Sequence, residues 1–486
     1  MSSEKDRFLS GKEQRTCAYY RDLAPHYGQW LARRKYYYQR KIRVLRHLLP
    51  LPGRVLEIGC GLGQNLAALA PQYGLGIDLC PELIEEARKR YPASQYPNLE
   101  FRTMSALQCA ALNEKFDSIL LVNSITEIPD LLGLFKEILE LCTPSTRAVQ
   151  ITYNYFLAPL VKLAAALGLA PKHPAQNWLT RFDLDNVVKL AGFEVVREGY
   201  DLILPFGVPF LADLINRFGP IIPGIKYASM FYFTVMRPIV PRGSMDDLSV
   251  SVCVPCKNEE GNIPGLVERI PEMGRGTEII FVDDQSTDGT ARAVETHAAA
   301  HPEKRIRLVK GPGMGKGAAC RAGFACAEND ILMILDADMT VMPEDLPRFM
   351  EVLVSGKGEF INGSRLVYPL EGDAMRFANI IGNKLFAIMF SFLLSQRLKD
   401  TLCGTKAIWR KDYGKILESR KHFGEVDKWG DYDWIFGAAR HNLQIVELPV
   451  HYRMRVKGET KMTKRFRNAL VMLRMCNVAF WKVKLL

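Results

Sequence analysis

Two aspartates, Asp336 and Asp338, follow an apolar run at residues 331–335 and flank a single alanine. The run predicts a buried strand, so both carboxylates lie where the chain leaves the sheet. Two carboxylates at this spacing can converge on one hard cation, such as Mg²⁺ or Mn²⁺. Such a cation neutralises a diphosphate leaving group. The pair therefore predicts a metal-dependent catalytic site, although acids also end strands simply as turn residues.

Further groups suited to a nucleotide surround this pair in the sequence. Residues 278–284 (EIIFVDD) predict a strand that ends in two acids, and residues 255–260 (PCKNEE) follow an earlier strand. Residues 313–317 (GMGKG) precede a helix, where Lys316 and the first helical amides suit a phosphate. The spacing is not that of a Walker P-loop. Because ligands of open α/β sheets bind at the carboxyl ends of the strands, these groups predict one nucleotide site.

The first half of the chain carries a separate glycine-rich pattern. Residues 54–58 (RVLEI) predict a strand, residues 59–63 (GCGLG) a tight turn, and residues 64–70 a helix. The next predicted strand ends in Asp78. Glycines let the backbone approach a ligand closely, and an acid in this place can accept hydrogen bonds from ribose hydroxyls. The order strand, glycine turn, helix, strand and acid favours a cofactor pocket over a purely structural turn.

Residues 241–247 (PRGSMDD) have linker composition and separate the two patterns. On each side, short β-branched runs alternate with helical stretches, which predicts two α/β domains with mostly parallel sheets. We therefore divide the chain into residues 1–240, with an N-terminal helical extension, the linker 241–247, and residues 248–486 with a basic amphipathic tail.

Composition and charge indicate the class of protein, the kind of partner and the cellular compartment. Of 486 residues, 48% are hydrophobic and 24% charged, which is typical of a globular protein. The net charge of +11 favours an anionic partner, and residues 453–486 hold ten Lys or Arg against one acid. This excess lies beside the second pattern and far from the glycine turn, which argues against a nucleic-acid partner. The first residues lack an apolar leader and no apolar run reaches about 18 residues, so we expect a reducing, cytoplasmic setting.

Residues 18–237 resemble the class I S-adenosylmethionine-dependent methyltransferases. Residues 55–63 are similar to the first motif of that family, residues 76–78 to its ribose-binding acid, and residues 116–127 to its fourth-strand segment. The chain departs from the pattern at Ser105, where the family usually has an Asp near the adenine. The resemblance implies a Rossmann-like sheet, S-adenosylmethionine as cofactor, and binding by Glu57, Gly59, Gly61, Gly63, Asp78 and Asn123.

Residues 248–461 resemble the inverting family 2 glycosyltransferases, particularly the dolichyl- and polyprenyl-phosphate sugar synthases. The matching segments, in order, are residues 255–260, 283–284, 336–338, 361–365 (INGSR), 400–406 (DTLCGTK) and 458–461 (GETK). The chain departs at Thr340, where some members have a metal-holding Gln. The resemblance implies a GT-A fold, a metal on Asp336 and Asp338, and nucleotide-sugar binding by Pro255, Asn258, Glu259, Asp284 and Arg365. Lys316, which suits a phosphate, belongs to the same predicted site.

The acceptor decides whether the second site needs a base. A hydroxyl acceptor must lose a proton, for which Asp431 and Asp433 are candidates. A phosphate monoester is already ionised near neutral pH and needs counter-charge, which Arg453, Arg455 and Lys461 can supply. Residues 374–399 and 466–486 are apolar stretches carrying polar or basic residues. They predict helices at a membrane interface, or ordinary amphipathic helices packed on the body.

The sequence thus predicts sugar transfer from a UDP- or GDP-sugar to a polyprenyl phosphate or related membrane-linked acceptor, with methyl transfer from S-adenosylmethionine in the first half. Peripheral contact with the cytoplasmic face of a membrane follows from such an acceptor. The alternative is a glycosyltransferase acting on a hydroxyl, with a catalytically inactive methyltransferase-like scaffold domain.

Overall fold

The computed structural model describes residues 2–50, 52–167, 177–369, 377–424, 430–455 and 465–485. The chain separates into two compact units, Met1–Val240 and Pro241–Lys484. Each unit is an α/β fold built on a mostly parallel sheet, which confirms the predicted fold class.

In the described part of the first unit, seven strands form one sheet in the order β3-β2-β1-β4-β5-β7-β6. Strands β1 to β5 pair in parallel, and β7 runs antiparallel between β5 and β6. The strands are β1 (Arg54–Ile58), β2 (Tyr73–Asp78), β3 (Leu99–Thr103), β4 (Phe116–Val122), β5 (Cys142–Tyr153), β6 (Phe193–Asp201) and β7 (Phe231–Pro238). The helices are α1 (Ser2–Arg33), α2 (Lys35–Leu48), α3 (Gln64–Leu69), α4 (Pro81–Arg90), α5 (Leu131–Glu140), α6 (Ala158–Ala166), α7 (Arg181–Leu190) and α8 (Leu211–Phe218).

The sheet order places the glycine turn at its centre. Strand β1 lies between β2 and β4, and its last four residues are buried because both faces of the sheet are covered. The parallel register of β1 with β2 aligns Ile58 with Ile77. As a result, the turn that begins at Gly59 and the acid that ends β2, Asp78, emerge at the same edge.

The described part of the second unit also has a seven-stranded sheet, in the order β10-β9-β8-β11-β13-β12-β14. Strand β13 is antiparallel to both neighbours, and the other pairs are parallel. The strands are β8 (Ser249–Cys256), β9 (Gly276–Asp283), β10 (Arg305–Lys310), β11 (Ile331–Ile334), β12 (Phe360–Ser364), β13 (Lys406–Trp409) and β14 (Ile445–Pro449). The helices are α9 (Ile263–Arg269), α10 (Thr290–Ala300), α11 (Lys316–Cys326), α12 (Leu346–Val354), α13 (Phe377–Leu394), α14 (Arg410–Phe423), α15 (Asp431–Arg440) and α16 (Arg465–Ala479).

The central position of β8 and β11 brings the acidic segments together. Strand β8 pairs in parallel with β9 on one side and with β11 on the other. The residues that follow these three strands therefore share one edge of the sheet. They include Asn258 after β8, Asp284 after β9, and Asp336 and Asp338 after β11.

Candidate active sites of the two units

The first unit contains a cavity, partly open to solvent, at the carboxyl edge of its sheet. Its walls come from the glycine turn, from the ends of β2 and β4, and from helices α1 and α2. Of the residues predicted to bind the cofactor, Gly59, Gly61, Asp78 and Asn123 line this cavity. The structure thus brings most of the predicted set to one place.

Backbone geometry explains the glycines of the turn. Gly59, Gly61 and Gly63 have φ values of +74°, +54° and +76°, which other residues rarely adopt. A Cβ on Gly59 would lie 2.6 Å from the Cβ of Ser124, and one on Gly63 would lie 2.5 Å from the Phe101 ring. The Asp78 carboxylate accepts the Gly61 N–H at 2.8 Å and so holds the turn against β2. Burial raises the pKa of the Asp78 carboxyl.

Several buried polar atoms around the cavity lack hydrogen-bond partners. Among the described residues that line it, these atoms are Lys41 Nζ, Gln64 Oε1, Asn65 Oδ1, Asn123 Oδ1 and Ser124 Oγ. Buried polar groups in folded proteins are nearly always paired, because an unpaired one costs free energy. Five such atoms around one cavity indicate a site built for a polar ligand. The donors and acceptors on offer fit a cofactor with ribose, ammonium and carboxylate groups.

Lys41 was not predicted from the sequence. Its side chain is fully buried on α2, and its Nζ lies 4.5 Å from the centroid of the Tyr37 ring. Burial lowers the pKa of Lys41 to about 7. The signal was present in the helical period, because Lys41 falls on the same face as the buried Tyr37, Val44 and Leu48. A lysine on the buried face of a helix needs a partner for its ammonium group, either another protein group or a ligand.

Glu57 lies behind the glycine turn and does not line the cavity itself. Its side chain is fully buried on β1, and its Oε1 accepts Asn65 Nδ2 at 2.7 Å. Burial raises the pKa of the Glu57 carboxyl to about 8. Glu57, which was predicted to bind the cofactor, therefore contacts Asn65, and Asn65 lines the cavity.

The raised pKa predicts how the stability of the ligand-free chain depends on pH. The unfolded chain loses the Glu57 proton near pH 4.5, whereas the folded chain keeps it until about pH 8. The folded state therefore binds more protons between these values, and its stability falls as pH rises through them, by at most about 1.4 kcal/mol per pH unit. We expect Glu57→Gln to flatten this fall. Calorimetric melting at pH 5 to 8 measures it, with Glu85→Gln, an exposed acid of α4, as control. Equal slopes for Glu57→Gln and wild type would contradict the prediction.

In the second unit, Asp284 organises the glycine loop. Its two carboxylate oxygens accept the N–H groups of Gly313 at 2.6 Å and Gly315 at 3.1 Å. The loop leads directly into α11, which begins at Lys316. Asp284, predicted as a nucleoside contact, thus positions the loop that presents Lys316.

The other segments predicted for the nucleotide lie at the same edge. Pro255 lies near the end of β8, Asn258 Oδ1 accepts the Thr287 N–H at 2.8 Å, and the buried Glu259 accepts Asn262 Nδ2 at 2.8 Å. These contacts fold the 255–262 segment against the loop that follows β9.

Asp336 and Asp338 face basic side chains from distant parts of the chain. Lys316 Nζ lies 2.7 Å from Asp336 Oδ1, and Arg455 Nη2 lies 2.8 Å from Asp338 Oδ2. Thr340 donates its backbone N–H and its hydroxyl to Asp338 Oδ1, at 3.2 and 2.8 Å. Thr340 thus orients the second acid in this chain. The segment before β13 passes close to the pair, since a Cβ on Gly404 would overlap Asp336 Oδ2.

The electrostatics of the two acids differ. Burial acts to raise the pKa of Asp336, but the Lys316 ammonium outweighs it and the pKa lies below its ordinary value. Burial and then the negative charge of Asp336 raise the pKa of Asp338, against the opposing effect of Arg455. Two carboxylates that repel each other at a partly open edge suit a divalent cation, which relieves that repulsion. The residues present therefore fit Mg²⁺ or Mn²⁺.

The two candidate bases have different surroundings. Asp431 is buried at the start of α15, 2.9 Å from Lys406 Nζ, and its charge acts on Lys316. Asp433 lies 3.1 Å from Arg420 Nε and 3.6 Å from Arg321 Nη1. Residues two apart on a helix point to different sides, so α15 directs only Asp431 towards the metal-site acids. Asp433 is held by two arginines instead.

The basic residues predicted for the substrates also separate. Arg365 makes a bidentate pair with the buried Asp400, at 2.7 and 2.8 Å, and so fixes the 400–406 segment. Burial acts to raise the pKa of Asp400, but the Arg365 guanidinium outweighs it and the pKa falls to about 2. The Arg453 N–H donates to the Thr340 carbonyl at 2.9 Å, which places residues 453–455 beside Asp338. Lys461 lies outside the described residues.

Helices α13 and α16 combine two apolar faces. One face of each packs into the core of the unit, through Phe386 and Phe390 of α13 and Met472 and Met475 of α16. The other face of α13 exposes an i, i+4, i+7, i+11 stripe of Ile381, Leu385, Ile388 and Phe392, and α16 exposes Leu470 and Leu473. The helices are thus packed on the body and still present apolar surface. Among the described residues, no helix has the length and apolar character needed to cross a membrane.

Comparison with known proteins finds one family-model match in each half of the chain. Residues 30–198 match the family model described as "Methyltransferase domain", and residues 251–417 match that described as "Glycosyl transferase family 2". Both resemblances drawn from the sequence motifs are thereby confirmed.

Individual relatives match the chain in part, each alignment covering less than half of it. Undecaprenyl-phosphate 4-deoxy-4-formamido-L-arabinose transferase of Aeromonas hydrophila is 34% identical over 111 residues, which is 22% of this chain and 34% of the relative. Dolichyl-phosphate beta-glucosyltransferase of Dictyostelium discoideum is 25% identical over 228 residues, covering 43% of this chain and 68% of the relative. Glucosyl-3-phosphoglycerate synthase of Mycobacterium tuberculosis, solved with Mn²⁺ and UDP, is 18% identical, with coverages of 49% and 80% and a TM-score of 0.36.

Proposed function

We propose that the second unit moves a sugar from a UDP- or GDP-sugar to a polyprenyl phosphate or related membrane-linked acceptor. The chain joins a methyltransferase domain to a family 2 glycosyl transferase domain and is therefore a transferase. We further propose that its first unit transfers a methyl group from S-adenosylmethionine. The observation that carries the first proposal is the cluster of Asp336, Asp338, Lys316 and Arg455 at one edge of the sheet. The names of two partial relatives, which are undecaprenyl- and dolichyl-phosphate transferases, support the acceptor class.

The donor is held mainly by groups that balance phosphate charge. Asp336 and Asp338 would hold Mg²⁺ or Mn²⁺, which when bound neutralises the charge that develops on the departing diphosphate. Lys316, which lies 2.7 Å from Asp336, and the N-terminal end of α11 supply positive charge beside these acids. Asp284 keeps the glycine loop in the conformation that presents Lys316. Asn258, Glu259 and Pro255 border the nucleoside side of this edge.

The acceptor phosphate requires orientation and needs no base. Its attacking oxygen is already ionised near neutral pH. Arg455 pairs with Asp338. When Asp338 holds the divalent cation instead, Arg455 can pair with the incoming phosphate. Arg453 lies beside it on the same segment, and Lys461 completes the proposed set. Attack from the side opposite the diphosphate inverts the sugar carbon.

One observation favours the alternative of a hydroxyl acceptor. Burial acts to lower the pKa of Lys316, but the charge of Asp336 and then that of Asp431 raise it above its ordinary value, so a further carboxylate lies near the donor site. In this alternative Asp431 takes the proton of the acceptor hydroxyl, and the first unit serves as a scaffold without activity.

The methyltransferase proposal assigns each cavity group a task. Bound S-adenosylmethionine would supply an activated methyl group on its sulfonium. Asp78 lies where it can accept the ribose hydroxyls, and Lys41 can pair with the carboxylate at the amino-acid end. Asn65, backed by Glu57, offers its unpaired Oδ1 to the ammonium group. The close approach of the glycine turn leaves room for the nucleoside.

An acceptor panel separates the two glycosyl-transfer alternatives. The full chain is incubated with Mn²⁺ and individual UDP- or GDP-sugars, together with a short-chain polyprenyl phosphate or the matching polyprenol. We expect a glycolipid product with the phosphate and none with the alcohol. Product with the alcohol alone would favour the hydroxyl alternative, and no product or donor hydrolysis with any sugar would contradict the proposal.

The exposed stripe on α13 supports a peripheral membrane position for the second unit. A polyprenyl chain stays in the bilayer, so the enzyme must reach its phosphate at the interface. The apolar side chains of α13 and α16 can enter the headgroup region while Lys482 and Lys484 attract anionic lipid. We propose that this contact occurs at the cytoplasmic face.

A further inference from the structure

The exposed apolar side chains of the first unit are concentrated in two segments. Among its described residues, 16 large hydrophobic side chains are exposed, and 13 of these belong to residues 155–167 or 206–227. Soluble proteins rarely expose contiguous apolar surface on this scale unless it serves an interaction. We call the exposed side chains of these two segments the apolar cap: Tyr155, Phe156, Leu160, Leu163, Leu167, Phe206, Val208, Phe210, Leu211, Leu214, Ile222, Ile225 and Tyr227.

The two segments adjoin and form one surface. The rings of Phe156 and Tyr227 meet edge to face with centroids 4.9 Å apart, and Asn154 Nδ2 donates to the Tyr227 carbonyl at 2.9 Å. Along the first segment, Phe156, Leu160, Leu163 and Leu167 are spaced by four, three and four residues. This spacing places them on one side of α6 and its flanking turns.

Three consecutive tyrosines connect the apolar cap to the cofactor cavity. The Tyr36 hydroxyl accepts Asn216 Nδ2 at 3.1 Å, and Asn216 also accepts the N–H groups of Ile203 and Leu204. Tyr37 stacks on Tyr153, which lies two residues before the first cap segment, and Tyr38 lines the cavity. Surface and cavity are thus anchored to the same turn of α2.

The backbone at Phe210 is strained at the point of greatest exposure. This residue has φ of +59°, although a bulky side chain rarely adopts positive φ, and 91% of it is exposed. Burial within the unit does not account for a phenylalanine there, and Gly would adopt this backbone conformation with less strain. An aromatic ring outside the body suits insertion into a lipid interface.

The charges on the cap segments match an anionic surface. Their described charged residues are Lys162, Arg217 and Lys226 against Asp213, and Lys226 lies over the Tyr227 ring, with Nζ 5.1 Å from the centroid. We propose that the apolar cap docks the methyltransferase unit on an anionic lipid bilayer. The aromatic and aliphatic side chains enter the headgroup boundary while the basic residues pair with lipid phosphates. Docking there brings the cofactor cavity next to the headgroups.

Vesicle binding by the full chain tests this proposal. Sedimentation is measured with vesicles of phosphatidylcholine mixed with phosphatidylglycerol and, as a comparison, of phosphatidylcholine alone. We expect Phe210→Asn to weaken partitioning to the mixed vesicles about tenfold, because an inserted aromatic side chain is lost. The melting temperature should stay equal, because 91% of Phe210 is exposed and its side chain adds little to the core. Phe182→Asn is the matched control, since Phe182 is 76% exposed in the same unit but outside the cap.

A second variant distinguishes this proposal from the proposed function. Ile388→Gln removes an exposed side chain of α13, so it reports on membrane contact by the second unit. Weakening by Phe210→Asn, with Phe182→Asn like wild type, supports the cap as the docking surface. Weakening by Ile388→Gln alone would overturn docking through the cap while leaving the second unit's contact intact. Concentration-dependent self-association that Phe210→Asn abolishes, without vesicle binding, would overturn it in favour of a second copy of the chain.

Discussion

The Asp338→Asn substitution is expected to reduce sugar transfer by at least about 100-fold without loss of the fold. Asn keeps an oxygen for the Thr340 hydroxyl and N–H, but it removes the charge that holds a divalent cation. Loss of that cation removes several kcal/mol of transition-state stabilisation. Because about 1.4 kcal/mol corresponds to a tenfold change in rate, the loss amounts to at least about 100-fold. The initial rate of glycolipid formation, measured with Mn²⁺ and saturating donor, tests the expectation.

Asp247→Asn provides the matched control, since Asp247 is an exposed acid at the start of the same unit. It should retain the wild-type rate. Melting temperatures of both variants establish that the fold is kept. Full activity of Asp338→Asn, or a loss shared by Asp247→Asn, would refute the assignment of Asp338 to the metal.

The Lys41→Met substitution should stabilise the first unit and impair its cofactor binding. Methionine fills a similar volume without an unpaired buried donor, so we expect stability to rise by about 1–3 kcal/mol near neutral pH. The lost charged hydrogen bond to the cofactor carboxylate should weaken S-adenosylmethionine binding about 10- to 100-fold. Titration calorimetry measures the affinity, and scanning calorimetry of the ligand-free chain measures the stability.

The pH dependence of stability gives this variant a second signature. In the folded chain Lys41 loses its proton at about pH 7, whereas the unfolded chain holds it to about pH 10.5. The unfolded state thus binds more protons between these values, and this group makes stability rise with pH there. Lys41→Met should remove that rise, whereas Lys89→Met, at an exposed position on α4, should not. Unchanged affinity in Lys41→Met would show that the ammonium does not contact the cofactor.

Opposite directions for stability and affinity make this test specific to a binding site. A lysine with a structural role would lower both when removed, since its loss would leave the surrounding groups without a partner. A lysine that binds a ligand lowers the stability of the ligand-free protein and raises the affinity for the ligand. The unpaired Gln64, Asn65 and Ser124 atoms around the same cavity follow the same logic.

The two α/β units were predictable from the sequence because they depend on local order. Apolar runs of strand length, each followed by a turn and a helix, specify parallel strands. Parallel strands necessarily place their carboxyl ends at one edge. That rule was enough to predict that Asp284, Asp336 and Asp338 share an edge, and that the glycine turn faces the end of β2. The positive φ of the glycines follows equally from the tightness of the turn.

Contacts between distant segments were decided only by the tertiary structure. The sequence offered Asp431 and Asp433 as equivalent bases, and only the packing of α15 and α14 assigns Arg420 to Asp433. Likewise, the pairing of Arg455 with Asp338 and the burial of Lys41 beside Tyr37 depend on how separate elements approach. A side chain's periodicity reports which way it points along its own helix or strand. Its partner, its burial and therefore its charge state depend on what the rest of the chain places opposite it.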